Sequence, residues 1–527
     1  MPGPATFPVG PENLVNRRSF LVTAAATSVA GALGLRGQTG PRILENDWQK
    51  NFPSPPQVYE RLEQDLMFER VLPDTDTFGH TEMVTSPTDD YVPNYGMGYQ
   101  VYALSETGEP RIDGLPAAEA IERLVRLPFA DQVYLRTDWR EIQRRPGRLD
   151  LPASWQLAVD LARRLGKRVS FRIQLGNTVG YPRCAIPDFV LERSGGAIDV
   201  IPGRLRLPHY EHPEFQAAFR ELNRLLAAEY DKDPVVECVD LMGYGAWGEW
   251  HAYDRGAWLS SFPDSLTAVR TLVGMIDEQL DAWVRTPLVM GAHRGSASFR
   301  LKDVIAHALR AGCWLRRDNV GRAIHAGEAF MLTNRPPWIG AVIEDGVDRS
   351  HVIGAPDKFV DECGQHLRDN LMMRALDLNG HYWALWQHAD NILAYREQFK
   401  RGFQMLDRHL GYRVRPAYIW VGETKPLDLI IAIRNDGAAP PPGILRVHVS
   451  DAEGKLRVGG GLDPGTPGPF QMRQCRIVLP VDIDWRVLRL SAELEIKGVR
   501  HPVRWACREK LNPDGSLSLR RTNGIRS

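Results

Sequence analysis

Eight short apolar runs, each followed by a stretch with helical spacing, succeed one another between residues 98 and 410. The runs are 98–103, 132–136, 168–174, 235–242, 287–291, 312–316, 339–343 and 381–386. Strands this short and apolar suit burial on both faces, as a parallel sheet requires. The helical patterns between and after them cover 116–126, 154–165, 212–230, 264–283, 301–311, 321–331, 356–376 and 395–410. In 212–230, Phe215, Phe219, Leu222, Leu225 and Leu226 make one apolar stripe. Eight such repeats predict a closed (β/α)8 barrel over residues 94–410. An open doubly wound sheet is the rival, but it usually carries a glycine-rich nucleotide turn after its first strand, and none is present.

The flanks read differently. Asn16-Arg17-Arg18-Ser19-Phe20-Leu21-Val22 is a twin-arginine signature, followed by an alanine-rich apolar run with small residues Ala30 and Ala32 at a cleavage-like spacing. Residues 1–38 are therefore expected to be an export signal, with a periplasmic or extracellular mature protein and no membrane span once it is removed. Residues 39–93 look like an irregular, proline-rich extension with one amphipathic stretch at 57–71. After residue 410, apolar and polar residues alternate between proline and glycine clusters, which predicts an antiparallel β-sandwich over 411–510. The tail 511–527 is polar and expected to fray.

With 65 basic and 65 acidic residues, the chain lacks the basic footprint of a nucleic-acid binder. Its six cysteines include no C-x-x-C pair, its histidines have no zinc-like spacing, and no cofactor motif is visible. A disulfide between Cys475 and Cys507 is permitted, with buried thiols the default.

Chemistry in such a barrel sits at the C-terminal ends of the strands. The fourth run leads into Gly243-Tyr244-Gly245-Ala246-Trp247-Gly248-Glu249-Trp250-His251, one carboxylate amid glycines and aromatics. The seventh ends at Glu344-Asp345, across the barrel mouth. Two facing carboxyl groups are what glycoside hydrolysis needs, about 5–5.5 Å apart when one is a nucleophile and about 6.5–9.5 Å apart when water attacks. The expected pair is Glu249 as acid/base, its pKa raised by the tryptophans and the neighbouring acid, and Glu344 as nucleophile. Asp345 and Asp318 compete with Glu344, although Asp318 reads more readily as an ion-pair partner of Arg316, Arg317 or Arg322. His293 and His388 at other strand ends are candidates for sugar hydroxyls, as is His251. Trp139, Tyr244, Trp247, Trp250, Trp383 and Trp386 are candidate stacking platforms, of which about three are expected to face the cleft. The long connection 176–212 is expected to be a lid or cleft wall.

These strand ends resemble those of the clan A glycoside hydrolases, whose retaining mechanism uses carboxylates after strands four and seven. The resemblance extends to an arginine ending strand two, here Arg136 in Val133-Tyr134-Leu135-Arg136, and a tryptophan ending strand eight, here Trp386. A second likeness is to secreted bacterial barrel proteins of uncharacterised function. It rests on Asn94-Tyr95-Gly96-Met97-Gly98-Tyr99, on Gly248-Glu249-Trp250-His251 and on a β-sandwich after the barrel. The clan usually has asparagine before the acid/base where this chain has Gly248, so the sugar 2-hydroxyl contact falls to Arg172, Gln174 or Asn177. The resemblance implies an exported, retaining hydrolase acting on an oligo- or polysaccharide without a cofactor. The alternatives are a non-catalytic carbohydrate-binding barrel and, from another class, an exported oxidoreductase.

Overall fold

The computed structural model describes residues 79–104, 115–251, 261–293, 301–320, 324, 326–345, 367–423, 425–463, 465–481 and 483–519. The signal segment, the stretch 57–71, Arg322 and Cys363 lie outside them. The first eleven strands are β1 (Gly79–Val84), β2 (Gly98–Tyr102), β3 (Ala130–Asp138), β4 (Arg168–Gln174), β5 (Ala197–Ile201), β6 (Leu205–Pro208), β7 (Val236–Asp240), β8 (Leu288–Gly291), β9 (Trp314–Arg317), β10 (Ala341–Glu344) and β11 (Tyr382–Leu385). Strands β2, β3, β4, β7, β8, β9, β10 and β11 close into a parallel barrel in that order. They fall on the eight apolar runs read from the sequence.

Helices fill the connections where their caps permit. Asp264 accepts from the backbone N–H groups of Leu266 and Thr267 at the start of Ser265–Ala282, and His212 accepts from Glu214 N at the start of Pro213–Tyr230, which also has proline in its first turn. The last helical pattern is broken at Phe399 into Ala389–Gln398 and Lys400–His409.

The barrel interior is unusual in its polarity. Strand β4 alternates Arg168, Ser170, Arg172 and Gln174 with Val169, Phe171 and Ile173. Phe171 packs outward on Trp155, Tyr230 and Trp283 in the helical layer. The other face joins a polar core: Gln100 donates to Gln132 and, at 2.9 Å, to Ser170, while Gln132 and Arg168 each reach Glu237 at 2.6 Å. Buried polar groups are tolerable when each is satisfied by partners of this kind. Strand β4 is thus buried on both faces as expected, but apolar on only the outward one.

Nine further strands follow: β12 (Val414–Gly422), β13 (Asp428–Asn435), β14 (Ile444–Ser450), β15 (Arg457–Gly460), β16 (Leu462–Asp463), β17 (Met472–Val478), β18 (Arg489–Ile496), β19 (Val499–Val503) and β20 (Leu517–Ser518). They form two antiparallel sheets, β1-β12-β13-β17-β16 and β15-β14-β18-β19 with β20 on β18. Leu445, Val447 and Val449 lie beside Leu494, Ala492 and Leu490 on one buried face of their sheet, the expected alternation of a sandwich. Two elements differ from expectation. Strand β1, in the stretch read as irregular, pairs with β12, and β20 in the polar tail buries Leu517 and leads to the buried Leu519. The sandwich leans on the barrel through Lys497, whose ammonium donates to the carbonyls of Trp283 and Thr286, and through His381, bonded to Pro440 O. Cys475 and Cys507 are separate buried thiols. Among the described residues no helix is long and apolar enough to cross a membrane.

Candidate active site

The turn after β7 carries the site and is conformationally expensive. Gly245 and Gly248 have φ of 87° and 68°, and so do two bulky residues, Trp247 at 54° and Trp250 at 62°. Positive φ costs about 1–3 kcal/mol at a side chain of that size and persists only where the surroundings impose it. Here Trp247 N donates to Gly176 O at 2.7 Å, Ala246 N to His251 O at 3.0 Å, and the Trp250 indole to Leu241 O at 3.2 Å. Gly243 lies under that indole, and a Cβ there would sit 2.0 Å from Trp250 Cε2. Gly243→Ala is therefore expected to cost about 1–3 kcal/mol, measured by urea unfolding at constant m-value.

The turn delivers Glu249, buried, onto a floor of arginines. Arg136 Nη2 lies 2.6 Å from Glu249 Oε1 and Arg172 Nη1 3.4 Å from it. His251 Nε2 meets the other oxygen, Oε2, at 2.9 Å, and His293 Nε2 stands 3.9 Å from it. Arg136 and Arg172 are neighbours in register on β3 and β4. Arg172 also holds Asp240 at 2.8 Å and Asp318 at 3.1 Å. Arg316, from β9, pairs with Asp318 and stacks 4.3 Å above the Tyr134 ring. It also lies 3.7 Å from Glu344 Oε2, which accepts a short hydrogen bond from Tyr102 OH.

Three buried guanidiniums thus face four buried carboxyl groups. Burial penalises every carboxylate here, so the outcome depends on which ones the cations reach. For Glu249, burial and the charge on Asp318 push upward, but the His251 hydrogen bond and Arg136 outweigh them and hold its pKa down near 2. Asp318, against the same burial, is held well below the usual carboxylate range by Arg316, Arg172 and Arg136. Glu344 goes the other way: burial, then the charges on Asp318 and Glu249, push it up to about 8 despite Arg136 and Arg316. Glu249 and Asp318 are thus the carboxylates that the guanidiniums hold ionised, and Glu344 the acid that keeps its proton. His293 is kept neutral, its pKa held down to about 3 by burial and by His251 and Arg317.

This reverses the electrostatic expectation from sequence, in which Glu249 was to be protonated. Tryptophans do not surround its carboxyl group: Trp250 is buried in the core, and ionic partners replace the apolar pocket. Asp318 is an ion-pair partner of Arg316, the structural alternative foreseen for it. Asp345 is buried beside Glu344, its backbone N–H bonded to Ala384 O.

The other candidates divide. Trp139 is buried against Phe215 and Phe219, Tyr244 against Tyr210 and Phe262, and Trp383 within the barrel wall, so none of the three is a sugar platform. Trp247 and Trp386 are part-exposed and remain. Gln174 and Asn177 both donate to Asp138 at 3.0 Å, and burial raises Asp138 to about 6. His388 caps the helix Ala389–Gln398, accepting from Asn391 N. The connection 176–212 is folded, with the helix Asp188–Arg193 and the β5–β6 hairpin. Sequence reasoning missed Tyr102, Tyr134 and Asp240 as members of the cluster. The alternation of polar residues within the apolar runs was the signal available.

No family model matches the chain, and no curated protein does. Solved structures similar to it include an endogalactoceramidase (15% identity, 75% of this chain and 99% of that one, TM-score 0.36). Others are endo-glycoceramidase II from Rhodococcus sp. (10%, 74% and 99%, 0.36) and a family 39 glycoside hydrolase from Bacteroides cellulosilyticus WH2 (8%, 76% and 83%, 0.35). At these TM-scores the likeness adds nothing to the strand pairing, which by itself defines the barrel.

Proposed function

We propose that the barrel mouth hydrolyses a glycosidic bond in an oligo- or polysaccharide, with Glu344 as proton donor and Glu249 as nucleophile. The observation that carries this is the unequal state of two carboxyl groups at the ends of β10 and of the β7 turn: Glu344 pushed up to about 8, Glu249 ion-paired at 2.6 Å to Arg136. Two acids whose surroundings drive them apart are the usual basis for dividing acid from nucleophile. In the first step Glu344 gives its proton to the leaving oxygen while Glu249 attacks the anomeric carbon. In the second, water deprotonated by Glu344 releases the sugar and returns the proton. Trp247 and Trp386 supply ring faces for the pyranose. The twin-arginine segment would set the reaction outside the cytoplasm.

Glu344→Gln tests the assignment. Its kcat/KM is expected to fall about 10²–10⁴-fold on glycosides with poor leaving groups. On dinitrophenyl glycosides, which leave without protonation, the first step should be nearly unaffected. Equal losses on both substrates overturn Glu344 as the acid. The wild-type rate should also fall as pH rises through about 8. A group with a raised pKa keeps its proton below that value and loses it above, and only the protonated form can donate.

A further inference from the structure

The two oxygens of Glu249 face different company. Oε1 is taken by Arg136 and Arg172, while Oε2 is turned toward His251 and His293. The imidazole rings lie 4.7 Å apart, tilted by 49°, and one ligand atom from each of the three residues falls within 4.8 Å of the others. A carboxylate–imidazole hydrogen bond accounts for His251 at 2.9 Å. It does not account for His293, whose Nε2 is buried with no hydrogen-bond partner among the described residues and stands beyond bonding range of Oε2 at 3.9 Å. A buried, unmatched ring nitrogen aimed at a carboxylate calls for a ligand between them.

We propose that Glu249 Oε2 and the Nε2 atoms of His251 and His293 bind one divalent transition-metal ion of the zinc class. Bonds of about 2.0–2.2 Å to a tetrahedral ion set ligand atoms about 3.3–3.6 Å apart, values bracketed by the 2.9 Å and 3.9 Å separations here. Two imidazoles and one carboxylate favour such an ion over calcium or magnesium, which select oxygen. Three protein ligands leave a position open to water or substrate. The sequence hid the site because Glu249 and His251 share one turn while His293 follows the next barrel strand, so no motif spacing joins them. The proposal does not rest on the hydrolase reading. Under that reading an ion on Oε2 would block the nucleophile, so added zinc would inhibit.

The test reads binding without substrate. The full chain, stripped with chelator, is titrated with Zn²⁺ by calorimetry, and Co²⁺ is added separately to look for the visible bands of a tetrahedral ion. One ion per chain is expected, with affinity lowered at least about tenfold in His251→Ala and in His293→Ala, since even partners outside the ligand set cost 10–100-fold. Zinc should raise the melting temperature of the wild type and not that of the double variant, whose folding is checked by circular dichroism in chelator. Absence of binding to the wild type at micromolar zinc overturns the site. So does unchanged binding in the double variant or, should that variant not fold, in His293→Asn.

Discussion

Glu249→Gln is expected to abolish turnover on activated and unactivated glycosides alike, by at least about 10⁴-fold in kcat. The argument is electrostatic before it is chemical. The carboxylate is the one acid in the cluster that combines a strong guanidinium partner, Arg136 at 2.6 Å, with a position on the turn that faces the mouth. Glutamine keeps the shape and an oxygen able to accept from Arg136, so the strained turn after β7 should persist. What it loses is the negative charge that attacks an anomeric carbon and offsets Arg136 as the transition state becomes cationic. Activated leaving groups bypass the acid but not the nucleophile, so Glu249→Gln and Glu344→Gln should separate on dinitrophenyl substrates. Parallel measurement of kcat and far-ultraviolet circular dichroism checks this. A folded Glu249→Gln protein that turns over near the wild-type rate removes Glu249 from the chemistry.

The barrel was legible because its signal is coarse. Eight apolar runs at regular intervals survive errors of a residue or two, and the observed strands β2 through β11, the β5–β6 hairpin apart, fall within a few residues of those runs. Strand β1 escaped because it precedes the barrel by a proline-rich stretch and finds its partner, β12, more than 300 residues later. The site was legible in its members and not in their states. Glu249, Glu344, Arg136 and Asp318 were all identified from strand ends, but protonation depends on which cation reaches which oxygen. That is fixed by register, such as Arg136 beside Arg172 across β3 and β4, which no local pattern encodes. The tryptophans misled for a related reason. Position at a strand end says nothing about which side of the wall a ring takes, and Trp139 takes the helical side against Phe215.

Arg316→Met is expected to be the most destabilising single change within the barrel, by about 3–5 kcal/mol, the usual result of stripping one partner from a buried ionic cluster. Arg316 pairs with Asp318, donates to Gln100 at 2.9 Å and to Tyr102, and lies 3.6 Å from Asp240 and 3.7 Å from Glu344. Methionine fills the volume and leaves Asp318 to Arg172 and to Arg136, the latter 3.8 Å away, and Asp240 to Arg172. The folded cluster would then lack the first of the cations that hold Asp318 low. Its carboxyl groups should titrate higher in the folded chain than in the unfolded one, so the folded state binds more protons and stability falls as pH rises. The deficit relative to wild type should therefore be larger near pH 8 than near pH 5, as read by urea unfolding at both values. Arg316→Lys should recover only part of it, because an ammonium cannot span Asp318 and Gln100 with a planar fork. A deficit under about 1 kcal/mol, or one that does not change with pH, would mean that Arg316 is not what holds the Asp318 carboxylate in the folded cluster.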